Sequence, residues 1–175
     1  MPWPALGQTT TAGAILNQIV TVIEALSPIV VATPFRHHRA EGAADFLKWA
    51  EEKAASSFRR FFVRHEPTGG APAISNTDFE EKTATFHVIV SYPQASARTG
   101  VSSGGEALTR DNVIDRDFTQ INYAIGMDGR SNFIPPNPDA CWDNRSPGRL
   151  PRLVGKACDF LQLKLMYRYH RSTTA

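Results

Sequence analysis

Residues 82–92, K-T-A-T-F-H-V-I-V-S-Y, are the stretch that decides the fold. Apolar and polar or small side chains alternate along it, and the large members of one set are Phe86, Val88, Val90 and Tyr92. Alternate residues of a β-strand point to the same face. Burying each large side chain of that set stabilises the fold by about 1.5–3 kcal/mol. The stretch therefore predicts a β-strand with one face in the core.

Two further segments predict strands. Residues 58–66, F-R-R-F-F-V-R-H-E, are rich in aromatic side chains. In residues 156–170, Leu161, Leu163 and Leu165 alternate with Gln162, Lys164 and Met166, which is typical of a strand with one buried face.

Three segments have helical periodicity. In residues 11–26 and 111–125 the apolar positions recur at i, i+4, i+7 and i+11, and residues 41–56 have a weaker pattern. Asp111, Asp115 and Asp117 lie near the start of the third helix, and we interpret them as charges that favour a helix N-terminus. The order helix, helix, strands, helix, strand predicts an α+β fold. We expect a single domain over residues 1–175, with a largely antiparallel sheet and helices packed on one face.

Long connections separate these elements. Residues 67–81 and 93–108 contain many glycine, serine or proline residues, and residues 127–155 contain five prolines and little periodicity. Loops of this length in a small domain are usually functional or ordered by a partner. We therefore predict that the Pro-rich loop at about 127–155 contacts another subunit or another protein.

The charge distribution allows self-association, while the small net charge does not by itself imply nucleic acid and leaves a contact with a phosphate backbone open. The chain has 175 residues and a net charge of only +2. Seven Lys or Arg and a single acid lie between residues 145 and 171, whereas residues 41–52 hold four acids and one base. Such a chain can bind copies of itself head to tail; ordinary solvated faces are the open alternative.

A G-x-S-x-G motif at residues 100–104 raises the question of a serine nucleophile at Ser102. A nucleophile elbow requires a strand that ends at the serine and a helix that begins directly after it. Here the predicted strand ends near Tyr92 and the next helix begins near Asp111. We therefore interpret the motif as a flexible loop, and a small serine hydrolase remains only as an alternative function.

Other candidate sites give weaker signals. Cys141 and Cys158 have no C-x-x-C spacing, and we expect both thiols to be reduced. The cluster Arg36-His37-His38-Arg39 indicates either a solvated turn or a contact with phosphate or acidic side chains. We expect no metal, no cofactor and no catalytic residues, and the sequence predicts neither a secretory leader nor a membrane-spanning helix.

The order of elements resembles a family of structural phage proteins. Four stretches carry the resemblance: D-F-L-K-W-A-E-E-K-A-A-S-S-F-R-R-F-F-V-R-H-E (45–66), T-A-T-F-H-V-I-V-S-Y-P (83–93), D-N-V-I-D-R-D-F-T-Q-I-N-Y-A-I (111–125) and K-L-M-Y-R-Y (164–169). A D-x-x-I/L-x-x-D-like pattern often opens the middle helix of the family, and Asp111, Ile114 and Asp117 match it. The chain thus resembles the tail terminator, or tail-completion, proteins of long-tailed bacteriophages and gene transfer agents.

The resemblance implies a structural role without catalysis. Such proteins form a ring, usually a homohexamer, at the head-proximal end of the tail tube in the virion, after assembly in the host cytoplasm. The ring ends tail polymerisation and offers a docking surface to the head connector, while DNA passes through its lumen without sequence-specific binding. The expected partners are the chain itself, the tail tube protein and the connector protein. A head-tail joining protein is the closest alternative, because it has the same α+β core.

The charged regions supply candidate residues for contacts with these partners. A heterologous contact that closes into a ring places different surfaces of one chain against each other. Our candidates for such an interface are Arg36, Arg39, Glu51, Glu52, Arg149, Arg152 and Trp142.

Overall fold

A computed structural model of the protein describes residues 12–66, 79–94, 100–101, 107–108, 110–125 and 148–172. Its helices are α1 (Ala12–Glu24), α2 (Ala43–Glu52) and α3 (Arg110–Ile125), and a 3₁₀ turn spans Ala54–Ser56. Its strands are β1 (Arg36–His37), β2 (Arg60–Glu66), β3 (Phe79–Pro93), β4 (Gly100–Val101), β5 (Ala107–Leu108), β6 (Gly148–Val154) and β7 (Cys158–Ser172).

Five strands form the main sheet in the order β1-β2-β3-β7-β6. β1 runs parallel to β2, and every other neighbouring pair is antiparallel. β4 and β5 pair only with each other, in a separate two-stranded sheet. The helices pack on the main sheet, so the predicted α+β class is confirmed.

Each face of the sheet buries a different core. Phe86, Val88 and Val90 of β3 belong to the larger core, which contains the buried residues of α1 and α3. Ile89 points to the opposite face, where Phe46 and Ala50 of α2 cover it. Thus α1 and α3 share one face, whereas α2 lies on the other and covers Phe62, Ile89 and Phe160. The prediction that the helices pack on one face is therefore wrong, because both faces of the sheet carry apolar side chains that must be buried.

The prediction of a loop throughout residues 127–155 is wrong for its last part. Gly148–Val154 form the edge strand β6, which pairs with β7. The register shifts between Leu150 and Leu153, so the alternation that identifies a strand is interrupted within this short segment. Residues 126–147 lie outside the described residues.

The two central strands extend beyond their neighbours. The last pair of β2 is Glu66 with Thr85, and the last pair of β6 is Gly148 with Lys164, but β3 and β7 remain paired to Phe79 and Ser172. Residues 79–84 and 167–172 therefore form a ribbon of two strands, about 20 Å long at 3.4 Å per residue. Within the described ranges no third strand flanks this ribbon.

A buried ion pair joins the sheet to α3. Arg59, which directly precedes β2, and Asp117 of α3 are both fully buried. The contact is bidentate: Arg59 Nε donates to Asp117 Oδ2 at 2.6 Å, and Nη2 donates to Oδ1 at 2.8 Å. The Tyr92 hydroxyl donates a third hydrogen bond to Oδ2 at 2.8 Å. Our interpretation of Asp117 as a charge at the helix start is therefore wrong, because it lies on the buried stripe of the helix.

The remaining Arg59 donors bind the segment after α1. Nη2 donates to the Val30 carbonyl at 2.5 Å, and Nη1 donates to the carbonyls of Val31 and Thr33. All five guanidinium N–H groups therefore have acceptors. The rings of Phe35 and Phe58 lie 5.3 and 5.1 Å from the guanidinium carbon. This complete set of contacts compensates for the loss of water around the buried charge.

We expect Asp117→Ala to reduce the free energy of unfolding by about 3–5 kcal/mol, because it leaves the Arg59 guanidinium buried without its counter-charge. Arg116→Ala, at an exposed charged position of the same helix, is the control and should change it by about 0.5 kcal/mol or less. Urea unfolding followed by circular dichroism measures both. A loss below about 1 kcal/mol for Asp117→Ala would contradict the central role of the pair.

Candidate subunit interface

Glu51, one of the predicted interface residues, instead makes contacts within the chain. It lies in the last turn of α2, where its Oε2 accepts from the Ala157 N–H at 2.6 Å and its Oε1 from the Cys158 N–H at 3.1 Å. The turn between β6 and β7 fits closely around this carboxylate. A Cβ atom at Gly155 would lie 1.8 Å from Glu51 Oε1 and 2.9 Å from the Cys158 carbonyl oxygen, so a larger residue there would displace the carboxylate. Glu51 therefore fixes α2 to the β6–β7 turn.

Arg152 is also committed to contacts within the chain. Its Nη1 donates to Asp111 Oδ1 at 2.5 Å, and its Nη2 donates to Asp159 Oδ2. Arg110 Nε lies 2.5 Å from the same oxygen of Asp159, which is almost fully buried. These pairs hold the start of α3 against β6 and β7. Arg152 is thus bound to neighbouring carboxylates of its own chain.

The predicted Arg36-His37-His38-Arg39 cluster separates into exposed and packed side chains. Arg36 and Arg39 are exposed, whereas the two histidines are half-buried. The His38 ring stacks on Trp49 with their centroids 3.8 Å apart, and the His37 ring lies 5.3 Å from that of Phe61. The cluster is therefore not a fully solvated turn. Arg36 and Arg39 remain available to a partner.

Burial lowers the pKa of both histidines. For His37 the loss of water is the largest effect, and the neighbouring Glu24 carboxylate opposes it. For His38 burial acts together with the positive charge of Arg60. Both rings are therefore held in the neutral form more strongly than in an unfolded chain.

The other predicted residues have varied positions. Glu52 is exposed at the end of α2. Arg149 lies in β6 opposite Leu163. Trp142, Ser102 and Cys141 lie outside the described residues. Cys158 is a free, buried thiol that donates to the Ala50 carbonyl, and burial raises its pKa.

Sequence reasoning missed an exposed apolar groove beside α3. Ile29 and Tyr123 remain 67% and 59% exposed, and they line a groove of about 530 Å³. Gln120 closes its side by donating from Nε2 to the Ser27 carbonyl at 2.6 Å. Tyr123 lies outside the apolar stripe of α3, and this position in the sequence could have indicated an exposed aromatic side chain. Ile29 is distant in the sequence and comes close to Tyr123 only in the folded chain.

The described residues do not present a metal site or a membrane helix. They contain no group of three or more His, Cys, Asp or Glu side chains placed to hold an ion. None of the helices in these ranges has the length and hydrophobicity needed to span a bilayer. No protein-family model matches the chain, and no curated protein matches its sequence significantly.

We expect Glu51→Ala to lower the free energy of unfolding by about 1.5–3 kcal/mol, because two backbone N–H groups lose a charged acceptor. Glu52→Ala removes the neighbouring exposed carboxylate and should change it by about 0.5 kcal/mol or less. Chemical denaturation of both variants tests the difference. Equal losses would contradict the structural role of Glu51.

The two half-buried histidines predict a pH dependence of stability. Between their lowered pKa values and the ordinary value of 6.5, the unfolded chain binds more protons than the folded chain. Stability therefore rises with pH in this window and is lost as the pH falls below about 6.5. Thermal or urea unfolding from about pH 7.5 to 5.5 should show this slope.

The matched variant for this test is His37→Gln/His38→Gln, in which the slope should become shallower. The Glu66 carboxylate affects stability in a different pH range. Its hydrogen bond from His87 lowers its pKa below the ordinary 4.5, so its contribution to stability is lost only at more acidic pH. An unchanged slope between about pH 7.5 and 5.5 in the double variant would contradict the assignment.

Proposed function

We propose that the protein is a tail terminator of a long-tailed bacteriophage or gene transfer agent. In this role it forms a homohexameric ring at the head-proximal end of the tail tube, ends tail polymerisation and provides the docking surface for the head connector. Its partners are further copies of itself, the tail tube protein and the connector protein. It acts in the virion after assembly in the host cytoplasm, and DNA passes through the lumen.

The observation that carries this proposal is the two-stranded ribbon of residues 79–84 and 167–172. Among the described residues, the ribbon continues β3 and β7 beyond the other strands of the main sheet. An isolated pair of strands is only marginally stable in water, and strand edges readily pair with other chains. A ribbon of this length is therefore best suited to a protein that is covered by neighbours in an assembly.

The two edges of the main sheet also support a ring. Among the described strands β1 and β6 are outermost, and they lie at opposite edges of the sheet. The β1 edge carries the exposed Arg36, whereas Leu153 and Val154 of β6 are apolar and 42% and 69% exposed. Different surfaces on opposite sides allow heterologous contacts, and rotation about one axis can close such contacts into a ring.

Electron microscopy of particles that lack this gene tests the proposal. We expect tails of uncontrolled length that are detached from filled heads, because nothing ends tube growth or connects the tube to the head. Normal tails on normal heads would contradict the tail terminator. Tails of normal length that fail to attach would instead favour a head-tail joining protein.

Complementation makes the same experiment more specific. The wild-type gene should restore joined particles, and Leu153→Asp/Val154→Asp should fail, because it places two charges on the apolar β6 edge. Ala55→Asp, at another exposed position, is the matched control and should restore them. Ser102→Ala should restore them as well, since the proposed function uses no nucleophile; its failure would favour the serine hydrolase.

A further inference from the structure

Three arginine side chains beside β1 are not neutralised by any described group. Arg36 and Arg39 are exposed, and Arg60, at the start of β2, is half-buried. None of these three side chains belongs to an ion pair or a side-chain hydrogen bond within the described ranges. They differ in this respect from Arg59 and Arg152, which are bound to aspartates. We refer to Arg36, Arg39 and Arg60 as the arginine patch.

The backbone that carries the patch is held in place by its neighbours. The N–H groups of Arg36 and His38 donate to carbonyls of the β2 segment at 3.1 and 2.7 Å. Between them, the His37 N–H donates to Glu24 Oε1 at 2.9 Å, and the His38 ring stacks on Trp49 of α2. The arginines therefore project from an ordered segment, which lowers the entropy cost of binding a ligand there.

Two members of the patch lie side by side on neighbouring strands. Arg36 pairs with Arg60 in the register of β1 and β2, so their backbones are about 4.8 Å apart and their side chains project to the same face of the sheet. Arg39 lies three residues beyond Arg36, which is at most about 10 Å along the chain. Like charges at these separations repel one another. A ligand that brings several negative charges close together would relieve this repulsion.

The positive charge of the patch also acts on the neighbouring histidines. Burial is the main cause of the lowered pKa of His38, and the charge of Arg60 adds to it. At His37 burial again lowers the pKa most, the Glu24 carboxylate opposes it, and the charge of Arg39 adds to the lowering. The arginines therefore raise the positive potential around β1.

The spacing of the patch suits a row of phosphates. Each strand of duplex DNA carries one phosphate for every 3.4 Å of helix axis, so several phosphates lie within the span of about 5–10 Å between the arginines. A guanidinium group donates two parallel hydrogen bonds to phosphate oxygens, which makes arginine well suited to this contact.

A second copy of the chain is a poorer partner for the patch. Among the described carboxylates, those of Glu51, Asp111, Asp117 and Asp159 already bind groups of their own chain. The exposed acids of α2 have Lys48 among them, so their surface has charges of both signs. DNA, by contrast, presents negative charges alone.

We propose that the arginine patch binds the phosphate backbone of duplex DNA without reading its base sequence. Arg36 and Arg60 contact neighbouring phosphates of one strand, and Arg39 contacts a phosphate further along it. Contacts of this kind fix the position of the duplex but carry no sequence information. The site goes beyond the proposed function, which requires only that DNA pass through the lumen, and it does not rest on that function.

Fluorescence anisotropy with short labelled duplexes and the full-length protein tests the site. We expect similar affinity for duplexes of unrelated sequence, because only phosphates are contacted. Between about 50 and 200 mM salt the logarithm of the association constant should fall against the logarithm of the salt concentration with a slope of about −2.7, since each of three phosphate contacts contributes about −0.9. Absence of duplex binding at the lower salt concentration would overturn the proposal.

Substitution of the exposed arginines gives the sharper test. Arg36→Gln/Arg39→Gln should weaken binding about tenfold at low salt and make the slope shallower by about 1.8, because two phosphate contacts are lost. Arg36→Lys/Arg39→Lys keeps both charges and should retain most of the slope. Binding and slope that are unchanged in the glutamine variant would overturn the proposal.

A matched control separates the patch from the net charge of the protein. Arg116→Gln/Lys156→Gln removes two positive charges at exposed positions on α3 and in the β6–β7 turn, so it changes the net charge by the same amount. It should leave the affinity and the slope nearly unchanged. An equal loss of binding in this control would overturn the assignment to the patch. Circular dichroism checks that each variant is folded.

Sedimentation velocity of the same proteins without DNA tests the competing partner. If the patch binds DNA, the wild type and Arg36→Gln/Arg39→Gln should have the same oligomeric state. A wild-type assembly that dissociates in this variant, with unchanged affinity for DNA, would show that the arginines contact another copy, and the proposal would be overturned.

The outcomes for the DNA contact are distinguishable from those for the tail role. Normal tails on normal heads in particles that lack the gene would contradict the tail terminator, whereas the anisotropy measurement would still support the DNA contact. Unchanged DNA binding by Arg36→Gln/Arg39→Gln would overturn the DNA contact and would leave the evidence from tail length unaffected.

Discussion

The buried pair of Arg59 and Asp117 is the interaction on which the rest of the structure depends. An unpaired charge in the core is costly, so each group fixes the position of the other. Arg59 joins the segment after α1, and Asp117 joins α3, while the Tyr92 hydroxyl adds β3. The pair also accounts for unusual backbone geometry, because Arg59 and Val31 have φ angles of 52° and 55°. Such angles are unfavourable for residues with a Cβ and persist only where surrounding contacts impose them.

Periodicity in the sequence predicted the central strands and the helices, because those segments bury regular faces. Periodicity did not predict the features that depend on tertiary contacts. β6 was missed because Pro151 and the register shift interrupt its alternation. The prediction that the helices pack on one face was wrong for α2, since a strand pattern separates two faces without saying which element covers each. Asp117 carried a usable signal, because it lies between Ile114 and Ile121 on the apolar stripe, but its partner is distant in the chain.

The candidate interface shows a similar limit. Glu51 and Glu52 are adjacent and chemically identical, yet only Glu51 reaches the backbone of the β6–β7 turn. Arg152 is in the basic region of the sequence but its charge is compensated by Asp111 and Asp159. Counting charges along the chain therefore overestimates what is available to partners. Among the described residues, the surfaces that remain include the two sheet edges, the ribbon and the groove lined by Ile29 and Tyr123, and association can occur there.

The pairing of β3 with β7 has a consequence for synthesis of the chain. These strands are hydrogen-bonded neighbours along their whole length, although α3 and β6 lie between them in the sequence. A ribosome-bound chain therefore cannot complete its central sheet until residues 158–172 have left the exit tunnel. Until then β3 exposes one apolar face and one free edge, a state that is prone to aggregation during translation. Such a fold forms late and depends on long-range contacts, which also slow its refolding.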